Sequence, residues 1–215
     1  MTNDHDDTLP PHPVPPQPWL YGPRLVAATR VALEMHSTQV RKGSDVPYAS
    51  HLFGTCSIAL DHGADEDQAI AALLHDAIED VHYAPGARDA VAAFGPEVLR
   101  IVEACTDADT YPKPPWKARK TAYIEHLADA DGPVLIVSAA DKLHNARSMV
   151  ADHRRVGAAL WDRFKASKAE TLWNYRELVT AFRANPAHPR ELVDELDRTV
   201  TELERLAAAE KGAKA

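Results

Sequence analysis

The sequence has 215 residues, 45% of them hydrophobic, and a formal net charge of −8 from 32 acidic and 24 basic side chains. This length and composition fit one globular domain with a sizeable core, and the acidic balance argues against non-specific binding to nucleic acids or to membrane surfaces. No apolar run is long enough for a transmembrane helix or a secretory signal. We therefore expect a cytoplasmic protein in which Cys56 and Cys105 are reduced core residues.

The two ends of the sequence differ in composition from the region between them. Residues 1–18 contain six prolines and little apolar surface, so we predict a disordered or loosely docked arm there. We predict a single domain over residues 19–209, and a frayed tail over residues 210–215, which are rich in small and charged side chains.

Helical periodicity dominates the predicted domain. From about Leu20, apolar residues recur at spacings of three and four, and strand patterns are nearly absent. Glycines and prolines separate the periodic segments and predict loops over 40–48 and 107–115. After the first helix, the predicted helices cover 49–62, 65–80, 86–93, 97–106, 117–130, 134–147, 160–183 and 190–209. The predicted fold class is therefore all-α, a multi-helix bundle.

A group of four polar side chains lies on the apolar helix predicted over 65–80. His75 and Asp76 are adjacent, and Glu79 and Asp80 follow one turn later, so the spacing predicts all four on one helical face. Burying these groups without compensation would be costly, and a divalent cation would remove that cost. The alternative is a surface charge cluster near a helix end.

Two residues elsewhere in the sequence can complete a metal site. His51 begins the preceding helix, and Asp141 lies on an otherwise apolar helix. Two imidazoles and two carboxylates suit Mn²⁺, Fe²⁺ or Zn²⁺, and such an ion makes a neighbouring water more acidic. Glu79 and Asp80 are then a pair that can take a proton from this water and orient it. Their spacing does not say which residue does which.

Four segments carry a more specific pattern: RKGSDVPYASH (41–51), AALLHDAIED (71–80), FGPEVLRIVEACTD (94–107) and AADKLHNARS (139–148). Their combination resembles the HD superfamily of metal-dependent phosphohydrolases. Within that superfamily it is similar to the hydrolase domain of RelA/SpoT-type alarmone enzymes and to its stand-alone small forms. The resemblance covers about residues 20–183.

The resemblance implies an enzyme that uses Mn²⁺ to remove the 3′-pyrophosphate from ppGpp or pppGpp, giving GDP or GTP. Alarmone synthesis is not expected, because no nucleotidyl-transfer domain follows in this sequence. By matching position, the resemblance implies metal ligands at His51, His75, Asp76 and Asp141, a catalytic pair at Glu79 and Asp80, and substrate contacts at Arg41, Lys42, Asn145 and Ser148.

Several alternatives stay open at this point. The basic group around Lys117 and Lys120 is either a solvated face or a phosphate-binding one, and His144 is expected to form a structural hydrogen bond rather than to act in catalysis. The expected partner is a small anionic nucleotide, not a nucleic acid or a membrane. The same site could act on ppApp, on pGpp or on the 2′-phosphate of NADPH, or could bind a nucleotide without catalysis. A homo-oligomer is compatible with the sequence.

Overall fold

The computed structural model describes residues 22–79, 86–108, 110 and 112–210. Within these residues the chain forms nine α-helices, one 3₁₀ helix and a single isolated β-bridge, which confirms the predicted all-α class. The α-helices are α1 (Pro23–Met35), α2 (Ala49–Asp61), α3 (Glu66–Leu74), α4 (Ala87–Ala92), α5 (Pro96–Cys105), α6 (Trp116–His126), α7 (Gly132–Val156), α8 (Lys168–Ala184) and α9 (Arg190–Ala209). None of the described helices is both long and apolar enough to cross a bilayer.

Some of the predicted features lie outside the described residues. They are the N-terminal arm, most of the C-terminal tail and Asp80. Both cysteines are free, as predicted; Cys56 is buried, and Cys105 is only partly buried.

The core of the bundle is built around α3 and α7. Along α3 the side chains from Ala69 to Leu74 are buried, and the first half of α7 is buried as well. Helix α7 packs against α2, α3, α5, α8 and α9, so it touches most of the other elements of the bundle. Polar side chains that point inward from α2, α3 and α7 must therefore meet in one place, screened from water by the surrounding apolar residues.

The start of α3 follows the sequence, whereas its end does not. Asp65 caps the helix, since its carboxylate accepts a hydrogen bond from the amide of Gln68, and the side-chain oxygen of Gln68 accepts one from the amide of Asp65. The predicted helix over 65–80 is nevertheless wrong beyond Leu74, where the regular helix ends and residues 75–79 continue as tight turns.

The imidazole of His75 explains why α3 ends early. Its Nδ1 lies 2.8 Å from the carbonyl oxygen of Ala72, so this side chain takes an acceptor that the next turn of the helix would use. The amide of Ala77 then donates to Leu74 at 2.9 Å, three residues back, which tightens the turn. His75, Asp76 and Glu79 are therefore not arranged on one regular helical face.

The late helices also depart from the prediction. The single helix predicted over 160–183 is wrong, because a 3₁₀ helix over Gly157–Arg163 is separated from α8 by a non-helical break. The break ends in a capping box: Ser167 accepts a hydrogen bond from the amide of Glu170, and the Glu170 carboxylate accepts one from the amide of Ser167. Helix α7 is longer than predicted and runs to Val156, and α6 is shorter and ends at His126.

A buried amide joins the end of α8 to the turn after α6. Asn185 is 4% exposed, and its Nδ2 donates to the carbonyl oxygens of Leu127 at 2.8 Å, Ala128 at 3.1 Å and Ala130 at 2.8 Å. These carbonyls belong to the chain that leads into α7. The amide therefore fixes where α7 enters the core.

We predict that Asn185→Ala lowers the free energy of unfolding by about 1–3 kcal/mol, because buried carbonyl groups lose their donor. Urea unfolding monitored by circular dichroism measures the change. Thr180→Ala is the control: its exposed hydroxyl bonds only within α8, to the carbonyl of Arg176, and its loss should change stability by at most about 0.5 kcal/mol. Equal midpoints for Asn185→Ala and the unmodified protein would contradict this assignment.

Candidate active site

Three buried side chains converge where α2, α3 and α7 meet. His51 from α2, His75 from the end of α3 and Asp141 from α7 each offer one ligand atom, and these atoms lie within 4.8 Å of one another. The Nε2 of His51 is 3.1 Å from the Nε2 of His75 and 3.2 Å from Oδ1 of Asp141. The structure thus brings together three residues that span 90 positions of the sequence. They are 1%, 2% and 7% exposed, respectively.

Asp76 reaches the same group from the turn that follows α3. Its Oδ2 lies 3.0 Å from Nε2 of His75 and 3.4 Å from Nε2 of His51. The hydroxyl of Tyr48 donates to this same oxygen at 2.5 Å. Burial and the adjacent Asp76 carboxylate raise the pKa of Tyr48, so the hydroxyl keeps its proton and acts as a donor. Tyr48 was not assigned a role from the sequence, although it lies in the RKG-x₃-PY-x₂-H segment.

The protonation of the two histidines tests whether a cation fits. The Nδ1 of His75 faces a carbonyl oxygen, which can only accept, so this nitrogen carries the hydrogen and Nε2 presents a lone pair. That lone pair faces the Nε2 of His51. This contact is satisfied by a hydrogen on Nε2 of His51, by an additional proton, or by a metal ion between the two nitrogens. Burial disfavours a charged His75, but Asp76 and Asp141 outweigh it and raise its pKa, so the surroundings favour positive charge at this point.

The donor set therefore fits a divalent metal ion. It comprises two imidazole nitrogens and carboxylates that are ionised because their pKa values are held well below the usual range. For Asp76 the histidines His75 and His51 overcome the effect of burial, and for Asp141 the neighbouring Lys142 does so first. Mixed nitrogen and oxygen ligation of this kind is typical of catalytic transition-metal sites and not of structural thiolate sites.

Two residues on α7 hold Asp141 in place. The Lys142 ammonium lies 2.5 Å from Oδ2, and the side-chain amide of Asn145 donates to Oδ1 at 2.5 Å. Asn145 therefore lies on the same face of α7 as Asp141, one turn later. The role of Lys142 is one that the sequence did not reveal. Its signal was present in the DKLHN segment, but its direction depends on how α7 packs against Tyr123, whose ring centroid lies 4.8 Å from the ammonium.

Glu79 lies beside these residues and pairs with a lysine from the loop before α6. The Nζ of Lys113 donates to its Oε1 at 2.8 Å. Burial, and then the negative charges of Asp107 and Asp76, raise the pKa of Glu79, while Lys113 opposes that rise. A carboxylate with a raised pKa can exchange a proton near neutral pH. Its predicted partner Asp80 lies outside the described residues.

Asp107 is a further acidic residue that the sequence did not single out. Its carboxylate is nearly buried and accepts hydrogen bonds from Arg119 and Lys120 of α6. Burial raises its pKa, but these cations outweigh burial, so the pKa of Asp107 is lowered. Only the fold could show that FGPEVLRIVEACTD ends at the site, because α5 and α6 come together through tertiary packing.

Two adjoining cavities open from these residues. The inner cavity has a volume of about 150 Å³ and the outer cavity about 440 Å³. The inner cavity is lined by Arg41, Tyr48, Asp76, Glu79, Cys105, Asp107, Lys120, Asp141, Lys142 and Asn145. The outer cavity shares five of these and adds, among others, Lys42, Lys113, Ser148, Arg163, Phe164 and Tyr175. The outer cavity carries four cationic side chains beside the carboxylates of Asp76, Glu79 and Asp152, so in a protein of net charge −8 it still offers positive groups to an anionic ligand.

The loop between α1 and α2 supplies two predicted substrate contacts. The guanidinium of Arg41 donates to Oδ1 of Asn145 at 2.6 Å, which connects the loop to the metal ligand beyond it. Lys42 lines the outer cavity, and burial, followed by repulsion from Lys165, lowers its pKa. Gly43 has a φ of 68°, and a Cβ there would overlap the side chain of Arg163 from the 3₁₀ helix. The loop and the 3₁₀ helix are therefore in direct contact.

The remaining predicted substrate residues have different positions. Ser148 lines the outer cavity, and its hydroxyl donates to the carbonyl of His144 at 2.9 Å. Lys117 lines neither cavity: its exposed side chain places Nζ 2.6 Å from the centroid of the Trp173 ring. Lysines 113 and 120, from the same basic group, do reach the cavities.

Comparisons with known proteins add the family context. A family model described as "HD domain" matches residues 28–171. The guanosine-3′,5′-bis(diphosphate) 3′-pyrophosphohydrolase MESH1 of Xenopus tropicalis is 35% identical over 128 residues, which cover 58% of this chain and 69% of that protein. A probable GTP pyrophosphokinase of Mycobacterium leprae is 35% identical over 123 residues, covering 57% of this chain but only 15% of that much longer protein.

A solved structure shows that the fold is shared. It is the structure of a metazoan ortholog of SpoT, described as hydrolysing ppGpp, and it matches with a TM-score of 0.66 at 24% identity, covering 82% of this chain and 95% of the other. Together with the family match and the Xenopus relative, this confirms the resemblance drawn from the sequence. The chain belongs to the HD domain family and, within it, to the family of MESH1 pyrophosphohydrolases.

Proposed function

We propose that this protein is a Mn²⁺-dependent hydrolase that removes the 3′-pyrophosphate from ppGpp and pppGpp. The observation that carries the proposal is a buried His–Asp group in contact with Asp76, which also lines a cavity of about 440 Å³ that carries the cations Arg41, Lys42, Lys113 and Arg163. That volume lies in the range of small-molecule sites, about 300–1,000 Å³. The substrate is supported by the name of the Xenopus relative, and the chemistry by the mixed nitrogen and oxygen donors.

The metal ligands in this proposal are His51, His75, Asp76 and Asp141. A bound divalent cation would supply positive charge that balances the carboxylates and lowers the pKa of a nearby water. Mn²⁺ is the proposed ion, and the same donors accept Fe²⁺ or Zn²⁺. We also propose that the predicted domain over residues 19–209 acts as one hydrolase unit.

The residues around the cavities divide the work of binding. Arg41 and Lys42 would hold the nucleotide in the outer cavity, with Asn145 and Ser148 as polar contacts. Lys120, at the inner cavity, would contact the pyrophosphate, because it lies beside the candidate ligands. Lys117 has no part in this proposal, since it stacks on Trp173 away from both cavities.

Glu79 and Asp80 are the proposed catalytic pair. In the reaction, water adds to the phosphorus bonded to the 3′ oxygen, the bond between them breaks, and the 3′ oxygen leaves with a proton. Glu79 lines both cavities and has a raised pKa, which suits a group that accepts a proton from the water and passes one on. Lys113, which donates a hydrogen bond to Glu79, favours its ionised form and opposes the rise of its pKa.

A nucleotide panel tests the proposed substrate. Purified protein with added Mn²⁺ is assayed on ppGpp, pppGpp, ppApp, pGpp and NADPH, and the substrates are ranked by kcat/KM. We expect ppGpp to give GDP and pyrophosphate, with activity lost on chelation and restored by Mn²⁺. If ppGpp stays intact while another nucleotide is consumed, the proposed substrate is wrong.

The catalytic pair is tested by replacing each carboxylate with an amide. The combined variant Glu79→Gln, Asp80→Asn should lower kcat by about 10²–10⁴-fold, the usual contribution of general acid–base catalysis, and should leave the Kd for ppGpp within a few-fold. Glu34→Gln is the matched control, since this exposed carboxylate pairs only with Arg30 on α1. Unchanged turnover in the combined variant would refute the catalytic assignment.

The ion pair between Lys113 and Glu79 predicts a change in the pH profile. If ionised Glu79 accepts the proton, kcat rises with pH through its pKa. Lys113 lowers that pKa, so Lys113→Met should raise it and move the acidic limb of the kcat profile to higher pH. Lys113→Arg keeps the charge and should leave the limb where it is. An acidic limb that does not move in Lys113→Met would show that Glu79 is not the titrating base.

A further inference from the structure

His144 makes a hydrogen bond to His51, a candidate metal ligand, on the side of the ring that faces away from the metal site. Its Nδ1 lies 2.9 Å from the Nδ1 of His51, and the two ring centroids are 4.9 Å apart. A hydrogen bond between two imidazole nitrogens needs one donor and one acceptor. One of these nitrogens therefore carries the hydrogen, and the other must be bare.

The metal-facing side of His51 fixes the direction of this bond. Its Nε2 points at His75 and Asp141, so to bind a cation that nitrogen must present its lone pair. The hydrogen of neutral His51 then sits on Nδ1, and His144 must accept it. The hydroxyl of Thr55 is another possible acceptor, but its Oγ1 lies 3.5 Å from Nδ1 of His51, at the limit of a hydrogen bond. His144 is therefore the better-placed acceptor.

A glycine in α2 makes room for His144. Gly54 lies one turn after His51, and a Cβ built at this position would overlap atoms Cδ2 and Nε2 of the His144 ring. Glycine weakens the interior of a helix relative to alanine. Its presence here is explained by the close approach of the imidazole to the backbone of α2. This close packing against Gly54 and the hydrogen bond to His51 together hold the His144 ring in position.

We infer that His144, seated against Gly54, is a positioning residue that holds His51 in the tautomer with hydrogen on Nδ1 and thereby sets the affinity of the site for its metal ion. The inference rests on the metal site of the proposed function and adds a residue to it. The sequence predicted a structural hydrogen bond for His144; the structure identifies its partner. Outer partners of this kind typically change metal affinity by about 10–100-fold.

The first measurement is made on Zn²⁺-loaded, ¹⁵N-labelled protein, because Zn²⁺ is diamagnetic and suits the same donors. We expect the hydrogen of the His51–His144 contact to lie on Nδ1 of His51 and to exchange slowly with water. His144→Leu should speed this exchange, whereas His144→Asn should keep it slow, because its Oδ1 can take the place of the imidazole Nδ1 as an acceptor of similar reach. A hydrogen on Nδ1 of His144, or unchanged exchange in His144→Leu, would overturn the inference.

The second measurement is the Kd for Mn²⁺ by titration calorimetry. His144→Leu should bind Mn²⁺ about 10–100-fold more weakly, and His144→Asn should stay within about threefold of the unmodified protein. Equal weakening in both variants would indicate a purely structural role and overturn the inference, as would unchanged binding in His144→Leu. Failure of the unmodified protein to bind Mn²⁺ would instead refute the metal site of the proposed function, so the two failures are distinguished by which protein shows them.

Gly54 provides an independent variant. Gly54→Ala should lower the melting temperature and weaken Mn²⁺ binding, because its methyl group displaces the imidazole. Adding His144→Ala removes the overlap, so the double variant should regain thermal stability but not Mn²⁺ affinity. Recovery of both properties in the double variant would show that His144 contributes nothing to the metal site. Ser57→Ala, at an exposed position of α2, is the control for a substitution in this helix.

Discussion

The meeting of two imidazole nitrogens and a carboxylate in an apolar interior is the constraint on which the rest of this structure depends. The Nε2 atoms of His51 and His75 lie 3.1 Å apart. The carboxylates of Asp76 and Asp141 surround them with negative charge, which favours a cation at this point. The bundle must therefore hold α2, α3 and α7 in register closely enough that one ion can replace the solvent that all these groups have lost.

Polar contacts extend outward from this centre to the walls of both cavities. One path runs from Asp141 through Asn145 to Arg41. Another runs from Asp76 to Tyr48, whose ring stacks on His36 with centroids 5.0 Å apart. In the first path Asn145 connects Arg41, which lines both cavities, to the candidate ligand Asp141. In the second path Tyr48, which also lines both cavities, donates directly to Asp76.

The sequence predicted the helices and the polar residues better than the geometry between them. Apolar periodicity was sufficient for α2, α5 and α9, because their boundaries depend on local signals such as prolines and glycines. The end of α3 could not be predicted, since a ligand side chain, His75, competes for the backbone carbonyl of the helix that carries it. The break before α8 was signalled by the Ser167–Glu170 capping box, but the helical pattern on either side obscured it.

Residues that act through tertiary contacts were the hardest to predict. Lys142 is adjacent to a candidate ligand, and Asp107 ends a segment that pointed to the family, yet neither position indicates a direction for its side chain. Lys113 and Lys117 look alike in the sequence, and one pairs with Glu79 while the other stacks on Trp173. Their difference depends on how the loop before α6 packs, which local patterns do not encode.

The contact between Gly43 and Arg163 joins two distant parts of the sequence that line the same cavity. All four proposed ligands lie at or before Asp141, whereas the wall of the outer cavity includes Arg41 and Lys42 before them and Phe164 and Tyr175 after them. The part of this wall that follows α7 contains no proposed ligand. Variation after α7 can reshape the cavity for another anionic substrate without moving a single metal ligand.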